Sequence, residues 1–153
     1  MIQRIQTVYL LIVVALNLAV VFLPLAVIQS GGAFYSFDAS GMSTIEAPQE
    51  LVYPTWALMA LSAIISLLAL VTVFLYKKRI LQIRLCIFNA LLIIGFYGLF
   101  AFSLWKVAGA SESFHFSMRI AVAFPLVSLI LNYLAIREIG ADEALIRSLD
   151  RLR

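Results

Sequence analysis

Four long apolar stretches constrain this chain more than any other feature of its sequence. They lie at about residues 7–28, 54–76, 85–105 and 119–136, and about 20 apolar residues in a helix match the hydrocarbon core of a bilayer. Of 153 residues, 64% are hydrophobic and only 12% are charged. A soluble domain of this size has too little interior to bury that much apolar surface. The sequence therefore predicts one transmembrane domain, 1–153, with four membrane-spanning helices.

A short basic segment, Tyr76–Arg84, separates the second and third apolar stretches and is predicted to be a cytoplasmic loop. It holds four of the 11 Lys and Arg residues. With four spans, only Lys106 and Arg119 fall on the opposite side of the membrane, whereas nine cations share the side of this loop: Arg4, Lys77, Lys78, Arg79, Arg84, Arg137, Arg147, Arg151 and Arg153. Cytoplasmic segments carry an excess of Lys and Arg. We therefore expect a multi-pass membrane protein with both termini in the cytoplasm.

Two connections are predicted on the outer side. The first, 29–53, contains no Lys or Arg, and within it 33–38 and 42–46 favour β structure. These runs are joined by Ala39-Ser40-Gly41, and such a connection is typical of a hairpin with its glycine in the left-handed region. We expect a small β-hairpin on the outer face of the bundle. The second connection, 106–117, is predicted to be a short polar loop.

Small and polar side chains mark the faces of two spans that should contact other helices. In the second span, Pro54 is expected to open the helix, and Ser62, Ser66 and Ala69 form a narrow stripe. In the fourth span, small or polar residues recur every three or four positions, which holds them on one face: Ala121, Pro125, Ser128, Asn132 and Ala135. Pro125 cannot bond to the carbonyl of Ala121, so a bend is expected in the outer half of this helix.

Three asparagines, Asn17, Asn89 and Asn132, are the candidate intramembrane polar contacts. A carboxamide in hydrocarbon is costly unless it is paired, so each should face the bundle or a wet cavity. Asn89 and Asn132 both lie about 6 Å below the cytoplasmic surface. We therefore expect them to hydrogen-bond to each other across helices three and four. The alternative is that the three asparagines line a small-molecule site.

The end of the chain, 140–153, is predicted to be a separate cytoplasmic helix. Gly140 can end the fourth span, and Asp142 can cap a new helix. The apolar residues of that helix share a face: Leu145, Ile146, Leu149 and Leu152. Two roles stay open for it, namely resting on the membrane surface and docking a cytoplasmic protein partner.

Several function classes find no support in the sequence. The one cysteine, Cys86, argues against an intrachain disulfide and Cys-ligated zinc. No charged residue lies deep in a span, as ion-coupled transport ordinarily requires, and no catalytic motif appears. The basic residues form no continuous face for nucleic acid. We therefore predict no enzyme activity, no catalytic, cofactor-binding or metal site, no cofactor and no nucleic-acid partner.

The two ends of the chain carry a resemblance to a known family. The opening MIQRIQTVYLL and the closing DEALIRSLDRLR resemble the ends of small four-helix integral membrane proteins of Bacteroidota, known as a domain of unknown function. The resemblance covers the whole chain in length and order of spans. It implies a bacterial inner-membrane location and brings no activity, ligand or catalytic residue. In topology alone the chain is also similar to claudin-like proteins, but their paired loop cysteines and Gly-Leu-Trp signature are absent.

The predicted fold is an all-α membrane protein: a four-transmembrane-helix bundle with a small extracytoplasmic β-hairpin loop and a C-terminal cytoplasmic amphipathic helix. The predicted role is non-enzymatic, structural or accessory. Its expected partners are the lipid bilayer and a protein bound through the outer loop or tail. The alternative is a small carrier, or a lipid- or small-molecule-binding protein with a pocket among the asparagines. A cavity at the bundle centre would favour this alternative, whereas a packed interior with exposed apolar patches on loop or tail would favour the first role.

Overall fold

The computed structural model describes residues 3–46, 48–110 and 113–152. Arg153 and the side chain of Arg4, which enter the cation count above, lie outside the described residues. Within these ranges, four helices are long and apolar enough to cross a membrane: α1 (Gln3–Phe22), α2 (Trp56–Phe74), α3 (Arg79–Ala108) and α4 (Ala123–Arg151). Only 28–33% of the residues in their most apolar 18-residue windows are buried inside the protein. Contact with a lipid bilayer accounts for the apolar surface that the protein leaves uncovered. The predicted set of four apolar helices is confirmed.

A five-stranded antiparallel sheet covers one end of this bundle. Its strands in chain order are β1 (Ala26–Ser30), β2 (Ala33–Phe37), β3 (Gly41–Thr44), β4 (Leu51–Pro54) and β5 (Phe114–Met118). In space their order is β4-β3-β2-β1-β5, so the strand between α3 and α4 lies beside the first one. We call this end of the bundle the sheet end. The opposite end, which carries the connection 75–78 between α2 and α3, is the basic end.

The predicted hairpin is confirmed as the β2–β3 pair, with Tyr35 opposite Thr44 and Phe37 opposite Met42. It is part of a larger sheet, however, because β1, β4 and β5 are not expected from the sequence. The all-α description is therefore corrected to a helical bundle with a five-stranded sheet. The polar loop predicted at 106–117 contains most of β5, whose five residues are too few for alternation to be recognised without a partner strand.

Two glycines turn the chain between β1 and β2. Gly31 and Gly32 have φ angles of 59° and 84°, the left-handed values that a two-residue hairpin turn requires. Gly41 was expected in that conformation but lies in strand β3 without a positive φ. Its missing side chain matters for packing, because a Cβ there would collide with Leu51 and lie 3.1 Å from the carbonyl oxygen of Tyr53.

The first two helices are shorter than predicted because strands take up their ends. α1 ends at Phe22, before Pro24, which cannot continue a helical hydrogen-bond ladder. Residues 26–28, expected to be helical, belong to β1. α2 begins at Trp56, and Pro54, expected to open it, ends β4 instead. A proline is tolerated there because β4 is an edge strand.

α3 is longer than predicted and takes in most of the basic segment that was expected to be a loop. Only residues 75–78 connect it to α2, and the helix begins at Arg79. Gln82 is buried one turn before Cys86 and continues the packed face of α3. Its side-chain amide donates to the carbonyl oxygen of Thr72 on α2, at 3.0 Å. Packing against α2 therefore orders the start of α3.

α4 is one continuous helix across both segments predicted at the end of the chain. The expected break at Gly140 and the new helix from Asp142 are therefore wrong. A glycine costs about 1 kcal/mol inside a helix, and contacts on either side of it offset this cost. Ile139 is fully buried, and the Asp142 carboxylate accepts a 2.7 Å hydrogen bond from the side-chain amide of Gln6 on α1.

Pro125 lies in the first turn of α4, just after a 3₁₀ turn at Ile120–Val122. A first turn has no helical hydrogen bond to lose at this position, so the reason for expecting a bend does not hold. The predicted contact faces are confirmed. All their members are buried: Ser62, Ser66 and Ala69 on α2, and Ala121, Pro125, Ser128, Asn132 and Ala135 at and after the 3₁₀ turn.

The inner face of the sheet packs directly on the bundle. Phe37 of β2 meets Phe100 of α3 in an edge-to-face contact, with ring centroids 5.7 Å apart. Ile28 and Met42 belong to the same buried cluster as these rings. Each helix in turn packs mainly on two neighbours, in the ring order α1, α2, α3, α4. The sheet is therefore held at a defined place above α3.

Candidate functional site

Asn17 is the polar junction of three helices. Its side-chain amide on α1 donates to the carbonyl oxygen of Val13 and to Ser128 Oγ on α4, both at 2.9 Å. Ser62 Oγ on α2 donates to the main-chain carbonyl of Asn17 at 2.8 Å. Asn17 is 1% exposed, so these bonds form without competition from water or headgroups. The residue ties α1 to both of its neighbours.

Asn132 and Asn89 do not form the direct hydrogen bond expected from their matching depths. The Asn132 amide donates instead to the main-chain carbonyl of Cys86 at 2.6 Å, which joins α4 to α3. Neither amide atom of Asn89 has a hydrogen-bond partner in the described part of the chain. Both asparagines are buried. The predicted pairing of Asn89 with Asn132 is therefore wrong, and Asn132 joins helices three and four through a backbone acceptor instead.

Two further polar contacts lie nearer the basic end, and neither is among the contacts predicted from the sequence. Gln6 on α1 donates to Asp142 on α4, and Gln82 on α3 donates to Thr72 on α2. Both glutamines are buried. The available sequence signal was their spacing, since Gln6 stands one turn before the buried Leu10. Every side of the four-helix ring thus has at least one polar tie.

The described cavities lie at the two ends of the bundle, and none of the three asparagines lines them. One of about 360 Å³ lies between the inner face of the sheet and the end of α3. Its lining is largely apolar, with one cation: Ile28, Ser30, Tyr35, Met42, Val52, Tyr53, Lys106, Val107 and Ala110. We call it the sheet cavity. Within the described ranges, no three His, Cys, Asp or Glu side chains come together as a metal site requires.

β5 carries apolar side chains past the edge of the bundle. Phe116 is paired with Ile28, and Met118 with Ala26, and opposite residues of an antiparallel pair point to the same side of a sheet. Ile28 and Ala26 are fully buried on the bundle side, yet Phe116 is 46% and Met118 57% exposed. These two side chains therefore lie on the bundle side of the sheet but are not covered by the helices.

A groove of about 740 Å³ at the basic end lies between the start of α3 and the last turns of α4. We call it the basic groove. Its lining holds four cations and one acid, Lys77, Lys78, Arg79, Arg84 and Glu143, together with Tyr76, Ile80, Leu81 and Ile146. The Arg79 guanidinium donates to the main-chain carbonyl of Asp142 at 3.3 Å. This contact holds the two walls of the groove together.

The last part of α4, residues 140–151, extends the helix past its last fully buried residue, Ile139, and we call it the tail. Ala135, Ile139, Asp142, Ile146 and Leu149 are three or four positions apart, so they share one helix face. Ala135 and Ile139 are fully buried, whereas Ile146 is 39% and Leu149 57% exposed. The face that packs in the bundle therefore continues, uncovered, along the tail.

Comparison with known proteins places the chain in a family. A family profile described as "Domain of unknown function (DUF4293)" matches residues 2–152, nearly the whole chain. A search of curated proteins finds no match. The profile match agrees with the resemblance of both chain ends to a domain of unknown function. The chain therefore belongs to the DUF4293 family, and in this member the domain is a bundle of four membrane helices with a five-stranded sheet at one end.

Proposed function

We propose that this chain is a non-enzymatic, structural or accessory protein of a bacterial inner membrane that binds a protein partner through its tail. The observation that carries the proposal is the continuity of α4. The face buried at Ile139 runs on, exposed, through Ile146 to Leu149. An apolar helix face that is not covered by its own protein marks an interaction surface.

The rigid tail favours docking over resting on the membrane. A separate helix after Gly140 could turn and lie in the headgroup region, but α4 passes through Gly140 without a break. The tail therefore keeps the direction of the span it continues. The partner that fits this face is an amphipathic helix of a second protein, packed along the Leu149 side.

The packed interior supports the same role. Asn17, Asn89 and Asn132 are at most 1% exposed, and the cavities described lie at the ends of the bundle. Exposed apolar side chains are found on the tail and also on edge strand β4, where Leu51 is 65% exposed. Edge strands also offer unpaired backbone groups to a partner. The sheet is a second contact surface in this proposal.

The cation distribution supports a cytoplasmic basic end. Lys77, Lys78 and Arg79 lie at the connection between α2 and α3, and Arg151 lies on the tail. Lys106 and Arg119 are at the sheet end. This asymmetry is typical of a basic end in the cytoplasm. The tail would then meet a cytoplasmic partner, and the sheet would face outward.

Site-specific photo-crosslinking in cells tests the tail. A photoreactive phenylalanine analogue is placed at Leu149 and, as the matched control, at Ala144, which is also exposed but lies on the opposite side of α4. We expect a discrete protein adduct from position 149 and none from 144. Equal adducts from both positions, or none from 149, would contradict docking through this face.

A second candidate function is the binding of a small apolar ligand in the sheet cavity. Its volume of about 360 Å³ is within the range of ligand sites, and Lys106 lies among its apolar residues. An acyl chain with an acidic head matches that lining. The ligand-binding alternative therefore stays a candidate function. Its pocket lies under the sheet and not among the asparagines, where it was predicted.

Native mass spectrometry with palmitate tests this second candidate. Ala110→Phe would fill the cavity, whereas Ala108→Phe adds the same side chain at a position that does not line it. We expect palmitate binding to be lost in the first variant and kept in the second. Absence of binding to the unmodified protein would rule the candidate out.

A further inference from the structure

The basic groove carries positive charge that the described structure does not neutralise. Among the described residues, no carboxylate forms an ion pair with Lys77, Lys78 or Arg84. The one acid in the lining, Glu143, already accepts a 3.0 Å charged hydrogen bond from Arg147. Lys77 also lies over the ring of Tyr76, 5.9 Å from its centroid. Three cations of the groove therefore have no carboxylate partner and are available to bind an external anion.

The start of α3 adds to this positive field. The helix begins at Arg79 in the lining of the groove, and its N-cap, Lys78, makes no side-chain capping bond. The first N–H groups of a helix have no partner within the helix, and they carry the positive end of the helix dipole. Backbone donors and basic side chains together form a suitable environment for a phosphate group.

The surroundings of the groove identify the source of that phosphate. α2 ends at Phe74, which is 72% exposed, and Tyr76 and Ile80 in or beside the groove are 56% and 49% exposed. These apolar side chains join the basic lining to the lipid-facing surface of the helices. A soluble anion would leave them uncovered, whereas the acyl chains of a lipid would cover them.

We propose that the basic groove binds the headgroup phosphate of an anionic phospholipid, with the acyl chains packed along the exposed ends of α2 and α3. Lys77, Lys78 and Arg84 contact the phosphate, and Arg79 holds the groove wall through its bond to the Asp142 carbonyl. The groove shares Ile146 with the tail face proposed above to bind a protein, but its four cations lie on α3 and on the connection before it.

Native mass spectrometry of the full chain in mild detergent measures the binding of phosphatidylglycerol against phosphatidylcholine. The test variant is Lys77→Gln with Arg84→Gln. The matched control, Arg137→Gln with Arg151→Gln, removes two exposed cations that do not line the groove. We expect the groove variant to weaken phosphatidylglycerol binding by roughly tenfold or more and the control to change it by less than about twofold. Lys77→Arg with Arg84→Lys should retain binding.

Three results would overturn the proposal. The first is equal affinity for the two lipids, and the second is an equal loss in the groove and control variants, which would indicate diffuse charge attraction. The third is full displacement of the lipid by millimolar glycerol 1-phosphate, which would assign the groove to a soluble anion. Unchanged melting of both variants in phosphatidylcholine shows that the fold is intact.

Discussion

The side-chain amide of Asn132 lies 2.6 Å from the main-chain carbonyl oxygen of Cys86, and this hydrogen bond joins α4 to α3 within the membrane bundle. Because the acceptor is the main-chain carbonyl, the hydrogen bond does not depend on the Cys86 thiol. Asn89, on the same helix as Cys86, is buried without a described partner. Two asparagines at similar depth are therefore expected to differ in their contribution to the stability of the bundle.

Replacing each asparagine with leucine separates these contributions. Asn132→Leu should lower the free energy of unfolding by roughly 0.6–2 kcal/mol, the range for one interhelical hydrogen bond in a membrane. Asn89→Leu should cost less, or stabilise the protein, because an unpaired buried amide is removed. Thermal melting in detergent measures both. A larger loss from Asn89→Leu than from Asn132→Leu would contradict these contacts.

Gly41 gives a prediction for the sheet. Gly41→Ala introduces a Cβ that collides with Leu51 and crowds the Tyr53 carbonyl, so we expect a loss of about 1–3 kcal/mol, the cost of overpacking. Gly98→Ala in α3 is the matched control, because a Cβ there meets nothing within 4 Å. Melting of the control should be unchanged or raised. Equal melting temperatures of the two variants would contradict the close packing of β4 against Gly41.

The buried helix faces of the bundle follow from sequence periodicity, whereas the hydrogen-bond partners of the asparagines do not. The small faces containing Ser62 and Ser128 were predicted and are buried, because spacing fixes which side of a helix a residue occupies. Depth alone suggested that Asn89 pairs with Asn132. Partner choice depends on helix rotation and on backbone acceptors, which no residue spacing encodes.

The errors at the ends of elements have physical causes. Gly140 and Asp142 form a valid helix stop and start, but tertiary contacts of Ile139 and Asp142 carry α4 through them. The basic residues before Arg84 favour a loop, but in the structure most of this segment is helical because Gln82 continues the packed face of α3. β5 requires β1 as its partner, from a position some 85 residues away in the chain. Such long-range pairing is absent from a local sequence pattern.

Pulsed electron–electron double resonance tests the continuity of α4 by measuring the distance between two spin labels on it. Spin labels at Arg137 and Arg151 flank Gly140, and 14 helical steps separate their Cα atoms by about 21 Å. We expect one narrow distance distribution near this value after allowance for the linkers, and the same distribution in Gly140→Ala. A short or broad distribution that narrows only in Gly140→Ala would indicate a hinge, and the tail would then be free to rest on the membrane.

The proposed roles of the tail face and the basic groove both depend on a chain that crosses the bilayer with the sheet and the tail on opposite sides. A membrane-impermeant maleimide applied to spheroplasts tests it, with single cysteines at Gln29 on the sheet or Ala144 on the tail, both exposed, in a Cys86→Ala background. We expect Gln29→Cys to react in intact spheroplasts and Ala144→Cys to react only after permeabilisation. Reaction of both without permeabilisation, or the reverse pattern, would contradict the arrangement.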